Sequence, residues 1–220
     1  TDQSYHFVNS EREYQKLFQN NKATIFAEAS VFYAYSNEAL RKISKYYPES
    51  KVIFCVRQPT DMIISYYREQ RFAGFEDISD INDMWQQHDK RLLHEQLPNG
   101  CPDPILLDYK KVCNLGDALE RIYEIVPLNR VMVITLDQLS IDARNTFAEI
   151  CNFIGVDKNY VPKFNHLNKA KEKKYPWIYD VFRFLQRTKR KIGVKGGSGL
   201  HLRLNKYLEK PPERIDLRPE

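Results

Sequence analysis

The sequence predicts an α/β fold in which a central parallel sheet is flanked by helices, and three observations carry that expectation. Short apolar runs rich in β-branched residues stand at 24–29 (TIFAEA), 51–57 (KVIFCVR) and 130–136 (RVMVITL). Stretches with apolar residues at helical spacing separate them. The order strand 24–29, helix 37–47, strand 51–57, helix 61–72 is a βαβα run, which calls for parallel strands joined by right-handed crossovers. At 220 residues, 42% hydrophobic and 29% charged, the chain is long enough for one sizeable core, and a single domain over 1–220 is expected.

Taken in order, residues 1–21 are a polar lead followed by Tyr14, Leu17 and Phe18 at helical spacing, enough for a short amphipathic helix. The run 24–29 reads as a buried strand that carries Glu28 toward its carboxyl end, where loops and ligands meet in α/β sheets. After VFYAY, Ser36 offers a capping oxygen to a helix with Glu38 in its first turn and Ala39, Leu40 and Ile43 on its apolar side. The uncharged run from Val52 to Val56 suits a strand covered on both faces. Arg57 ends it, Pro59 breaks the extended run, and Thr60 and Asp61 supply a cap for a helix starting near Met62.

Residues 72–99 are rich in charge and aromatics, with helix expected over 84–97. His88 and His94 lie six apart, off the three-or-four spacing of a shared helical face, so they predict surface or pocket-lining histidines and no metal site. The turn PNGCPDP closes the segment. Asn114 then caps a helix striped by Leu115, Ala118, Leu119, Ile122 and Tyr123, which Pro127 stops. After the strand 130–136, Phe147, Ile150, Cys151 and Ile154 mark another amphipathic helix, with Gly155 placed for a left-handed C-terminal residue.

The charge is uneven. Of the net +5, the segment 169–195 holds +8, from ten Lys/Arg against Glu172 and Asp180, leaving −3 elsewhere. That segment reads either as a basic amphipathic helix with its cations in solvent or, through Lys195 and the backbone of Gly196 to Ser198, as an anion-binding nest. Cys55, Cys101, Cys113 and Cys151 show no CxxC spacing, which reads as buried free thiols, the alternative being a Cys101–Cys113 bridge. No run of about 18 apolar residues and no charged-then-apolar leader occurs in these residues. With the cysteines read as free thiols, a cytoplasmic setting is the expectation, the alternative being a lumen if an anchor precedes Thr1.

Arg57 at a strand's carboxyl end and Ser65 eight residues on have the spacing of a phosphate clamp over a parallel sheet. An isolated pair of this kind reads first as a surface ion pair and a helix serine. The flanking segments decide, because here the chain resembles the sulfotransferases that use 3′-phosphoadenosine 5′-phosphosulfate (PAPS), closer to their carbohydrate and bacterial branch than to the small-phenol branch. Arg57, Pro59 and Ser65 match the family's Arg-x-Pro strand end and its later serine; TIFAEASVFYAYS resembles its Gly/Ala-Glu-x-Ser segment; RVMVITLDQLSIDARNTFAEICNFIGV resembles its later strand, turn and helix. The resemblance covers roughly 22–168.

That resemblance implies a P-loop-like three-layer fold and transfer of the sulfuryl group to a hydroxyl, with a carbohydrate as the expected acceptor and 3′,5′-adenosine bisphosphate (PAP) as product. It implies that Arg57 and Ser65 hold the 3′-phosphate, that Glu28 is the general base, and, more loosely, that Lys195 and Gly196 belong to a late phosphate-contacting loop and Asn168 to the cofactor site. Glu28 among alanines is expected to be buried with a raised pKa, or else to be a structural carboxylate paired to a cation. The family's opening strand and Lys-x-Gly-Thr-Thr loop are not in these residues, nor is any GxxxxGK[ST] loop, so an upstream strand and loop are expected before Thr1. No nucleic-acid partner is implied. Rival readings are a nucleotide kinase on a related sheet, which requires a Gly-Lys-Ser/Thr loop, and a non-catalytic module gripping a polyanion through 169–195.

Overall fold

The computed structural model describes residues 10–16, 18–19, 23–93, 96–98, 100–160, 162–164, 172–175, 209–211, 215 and 217. Their elements run α1 (Glu11–Lys16), a 3-10 turn (Val31–Tyr35), α2 (Asn37–Tyr46), β1 (Val52–Val56), α3 (Pro59–Ala73), α4 (Ile81–Leu93), a 3-10 turn (Pro104–Leu107), α5 (Tyr109–Val112), α6 (Leu115–Ile125) and a 3-10 turn (Leu128–Arg130). There follow β2 (Val131–Thr135), α7 (Leu136–Ile141), α8 (Ala143–Ile154) and the short β3 (Glu172–Lys173) and β4 (Glu209–Lys210). The chain divides into two compact units, one of 1–57 with 114–161 and one of 58–113 with 162–220.

In the first unit β1 and β2 pair in parallel, in register from Val52 opposite Val131 to Val56 opposite Thr135. Side chains alternate across a strand, so Val52 and Phe54 share a face, and they pack with Val131 against a core of Ala34, Leu40, Ala118, Ile122 and Val126 from the first 3-10 turn, α2 and α6. Helix ends follow the sequence closely. Ser36 Oγ accepts the Ala39 N–H at 3.2 Å, and Asn114 Oδ1 accepts that of Asp117 at 3.3 Å. Thr135 and Gln138 form a reciprocal capping box at the start of α7. Gly155 ends α8 at φ 84°, the left-handed conformation expected of it. Lys51 bonds the Phe153 carbonyl and Arg130 the Pro48 carbonyl, tying the loops around the sheet.

Two strand expectations are corrected. Residues 24–29 form no strand: Ile25 and Phe26 are exposed, and the β1–β2 ladder pairs with no other strand among the described residues. An apolar run becomes a strand only where an edge offers N–H and C=O partners, and this run is instead held by ring contacts, Tyr14 to Phe18 at 5.0 Å and Phe18 to Phe26 at 5.8 Å. Nor is β1 covered on both faces, because Ile53 and Cys55 are exposed while their neighbours are half-buried. All four cysteines are free, with only Cys113 and Cys151 buried.

The second unit is helical around Tyr67, Ile81, Met84, Leu107 and Tyr109. Its first helix starts earlier than expected. Pro59 occupies the first turn of α3, a position that tolerates its missing N–H, and Gln58 rather than Thr60 is the N-cap, making no side-chain capping bond. Gly74 closes α3 at φ 79°. At the centre of the unit Glu76 has no exposed side-chain surface and takes bonds from Arg91 at 2.9 and 3.0 Å, from Tyr109 at 3.0 Å and from the Ile78 N–H at 2.8 Å. Arg91 also reaches Asp77 at 2.9 Å. Burial and the adjacent Glu76 charge push the Tyr109 hydroxyl far above the ordinary phenol range.

Candidate active site

Glu28 stands in the irregular segment between α1 and the 3-10 turn at 31–35, and its position corrects the expectation of a buried acid: the residue is exposed. Burial and the neighbouring Tyr14 and Glu28 push the Tyr33 hydroxyl up to about 12. Tyr14 is raised as well, first by burial and then by the Glu28 and Tyr47 charges.

Tyr33 belongs to the aromatic VFYAY run.

Arg57 directly follows β1, at the carboxyl end of a parallel strand, and is half-buried. In the second unit, Ser65 is exposed within α3, whose first turn has Asp61 and no side-chain cap. His88, expected at a surface or pocket wall, is buried in α4 and lines a small cavity with Met84, Arg91, Leu107 and Tyr109. Its Nδ1 lies 2.8 Å from Asp89 Oδ1, its Nε2 lies 3.5 Å from Asp108 Oδ1, and the Trp85 and Tyr109 rings flank it. His94, Asn168, Lys195, Gly196 and most of the basic segment 169–195 lie outside the described residues. Among the described residues no helix is long and apolar enough to cross a membrane.

Comparison with known proteins places this geometry. The family profile described as "Sulfotransferase domain" matches residues 6–180. No curated protein matches the chain. A solved structure of a sulfotransferase from Alicyclobacillus acidocaldarius is similar in fold, with a TM-score of 0.64 at 20% identity over 87% of this chain and 74% of that one. The helices flanking a small parallel sheet accordingly form an α/β, P-loop-like, sulfotransferase-type fold. Since the profile spans most of the sequence, the chain belongs to the sulfotransferase domain family.

Proposed function

We propose that this sulfotransferase moves the sulfuryl group of PAPS to a hydroxyl of a carbohydrate acceptor, with Glu28 as the base. The observation that carries the proposal is an accessible carboxylate, Glu28, inside the stretch matched by the family profile.

The residue types fit the donor. Arg57, a planar fork of N–H groups at a parallel strand's carboxyl end, is suited to a phosphate, and the exposed Ser65 hydroxyl is a second donor for the 3′-phosphate. Lys195 and Gly196 are proposed as further phosphate contacts on the strength of their sequence. When bound, PAPS supplies an activated sulfuryl group, whose bond to the bridging phosphate oxygen breaks as the acceptor oxygen bonds to sulfur, releasing PAP. Glu28 takes the acceptor's proton as that oxygen attacks, and Arg57 and Ser65 fix the nucleotide, so that positioning and charge stabilisation dominate, as in phosphoryl transfer.

The test is sulfate transfer from labelled PAPS to chemically desulfated heparin and to N-acetylglucosamine, in wild type and Glu28→Gln. Transfer that falls in the variant with donor affinity unchanged supports the reading. Tight PAP binding with no transfer to either acceptor removes the carbohydrate assignment.

A further inference from the structure

We propose that the layer formed by α2 and α6 in the first unit is a self-complementary interface through which two copies of this chain associate.

Both helices pack on one face of the β1–β2 ladder, with Leu40 of α2 and Ala118 and Ile122 of α6 in a single core. Their other sides are exposed, and those sides carry opposite charge. On α2 three cations, Arg41, Lys42 and Lys45, stand against one acid, Glu38, a net of +2. On α6 three acids, Asp117, Glu120 and Glu124, stand against one cation, Arg121, a net of −2. Arg121 is engaged at 3.0 Å by the Ala34 carbonyl of the first 3-10 turn, so the outward side of α6 is acidic.

A two-fold axis makes this pattern fit itself. A half-turn about a line running along the layer, midway between the helices, sets the basic α2 of one copy over the acidic α6 of the other and, at the same time, α6 over α2. Every pair of helices that meets across the axis then joins +2 to −2, whereas stacking like on like would set acid against acid. Neither stripe alone selects this partner. α6 by itself fits any basic surface and α2 any acidic one, and a second copy supplies both in matching order.

Apolar surface lies in the same layer. Tyr46 at the end of α2 is 65% exposed, and Tyr123 on α6 is 42% exposed. Along α6 an open groove of about 540 Å³ is lined by Gly116, Leu119, Glu120, Tyr123 and Glu124. A Cβ at Gly116 would make only an ordinary contact, with Asn114 Oδ1 at 3.4 Å, so packing within one copy does not demand a glycine there. Its missing side chain leaves room for an aromatic side chain of a second copy, the kind of anchor that interfaces favour. Two helices, each about 15 Å long and about 10 Å across, make a small interface. The dimer is therefore expected to be weak, and its charge pairing to weaken further as salt rises.

Sedimentation equilibrium at about 100 μM chain, in low and in high salt, tests this with wild type, an α2 variant Arg41→Glu/Lys45→Glu and an α6 variant Glu120→Lys/Glu124→Lys. All four positions are exposed, and the Glu38–Lys42 bridge at 2.7 Å is left in place. Wild type is expected to approach twice 26.1 kDa in low salt and to fall toward the monomer in high salt. Each variant carries two stripes of one sign and should dimerise about 10-fold more weakly. An equimolar mixture of the two variants should recover the dimer, because its helix pairs are again of opposite sign. That recovery also shows both variants to be folded. Wild type that stays monomeric in low salt overturns the proposal, and so does a dimer that neither charge reversal weakens, since it would use another surface. Two weakened variants that fail to recover when mixed overturn it as well, because the reversals then act on something other than pairing between copies.

Discussion

Two glutamates of this chain stand in opposite settings. Glu76 is sealed in the second unit and takes bonds from Arg91, Tyr109 and a backbone N–H. Glu28 is exposed in the first unit, with Tyr33 and Tyr14 beside it. A buried carboxylate saturated with donors has no spare lone pair and no path to a substrate, so it contributes to stability. An exposed carboxylate keeps the access that the proposed role of base requires.

Exchanging each acid for its amide should separate the two most sharply. Glu28→Gln should lower kcat by roughly 10²–10⁴-fold with little change in PAP affinity or melting temperature. Glu76→Gln should do the reverse, costing about 3 kcal/mol in denaturant unfolding, because the buried Arg91 loses its buried counter-charge and keeps only the solvent-exposed Asp77. A Glu28→Gln protein that melts early with normal turnover would break the contrast.

The next effect concerns the nucleotide. Arg57→Ala should weaken PAP by about 2–3 kcal/mol while leaving 5′-adenosine monophosphate, which lacks the 3′-phosphate, nearly untouched. Calorimetry showing equal losses for both nucleotides would reassign Arg57. Smallest of the set, Tyr109→Phe should cost about 1–2 kcal/mol of stability and no activity, since Glu76 keeps Arg91 and the Ile78 N–H.

Much of the scaffold was legible before any coordinates, and the reason is local chemistry. Ser36, Asn114 and Gly155 sit where capping rules put them, and the apolar runs ending at Val56 and Thr135 are the two parallel strands. Misreadings arose wherever the outcome depended on a distant partner. Residues 24–29 have strand composition but no edge to join, and Ile53 and Cys55 are apolar but uncovered. Glu28 was singled out through the Ala-Glu-x-Ser resemblance, whereas the tyrosines beside it, Tyr14 and Tyr33, were not, because proximity between a 3-10 turn and an irregular segment leaves no periodic trace. Glu76, Arg91 and Tyr109 are spread over 33 positions, and nothing in their spacing announces a buried network.

The parallel ladder has a consequence for how the chain reaches its native state. Val52 and Val131 are partners although 79 positions separate them, so the first ladder bond must close a long loop, at an entropic cost that grows with the logarithm of its length. Within that loop lies the 58–113 part of the second unit, whose cluster of Tyr67, Ile81, Met84, Leu107 and Tyr109 is drawn from a much shorter span. Near-neighbour contacts form sooner than distant ones, so the helical cluster should gain amide protection early in refolding and the β1–β2 pairing last. During synthesis β1 emerges long before β2, and until β2 arrives its whole apolar edge is without the partner it will have in the finished sheet.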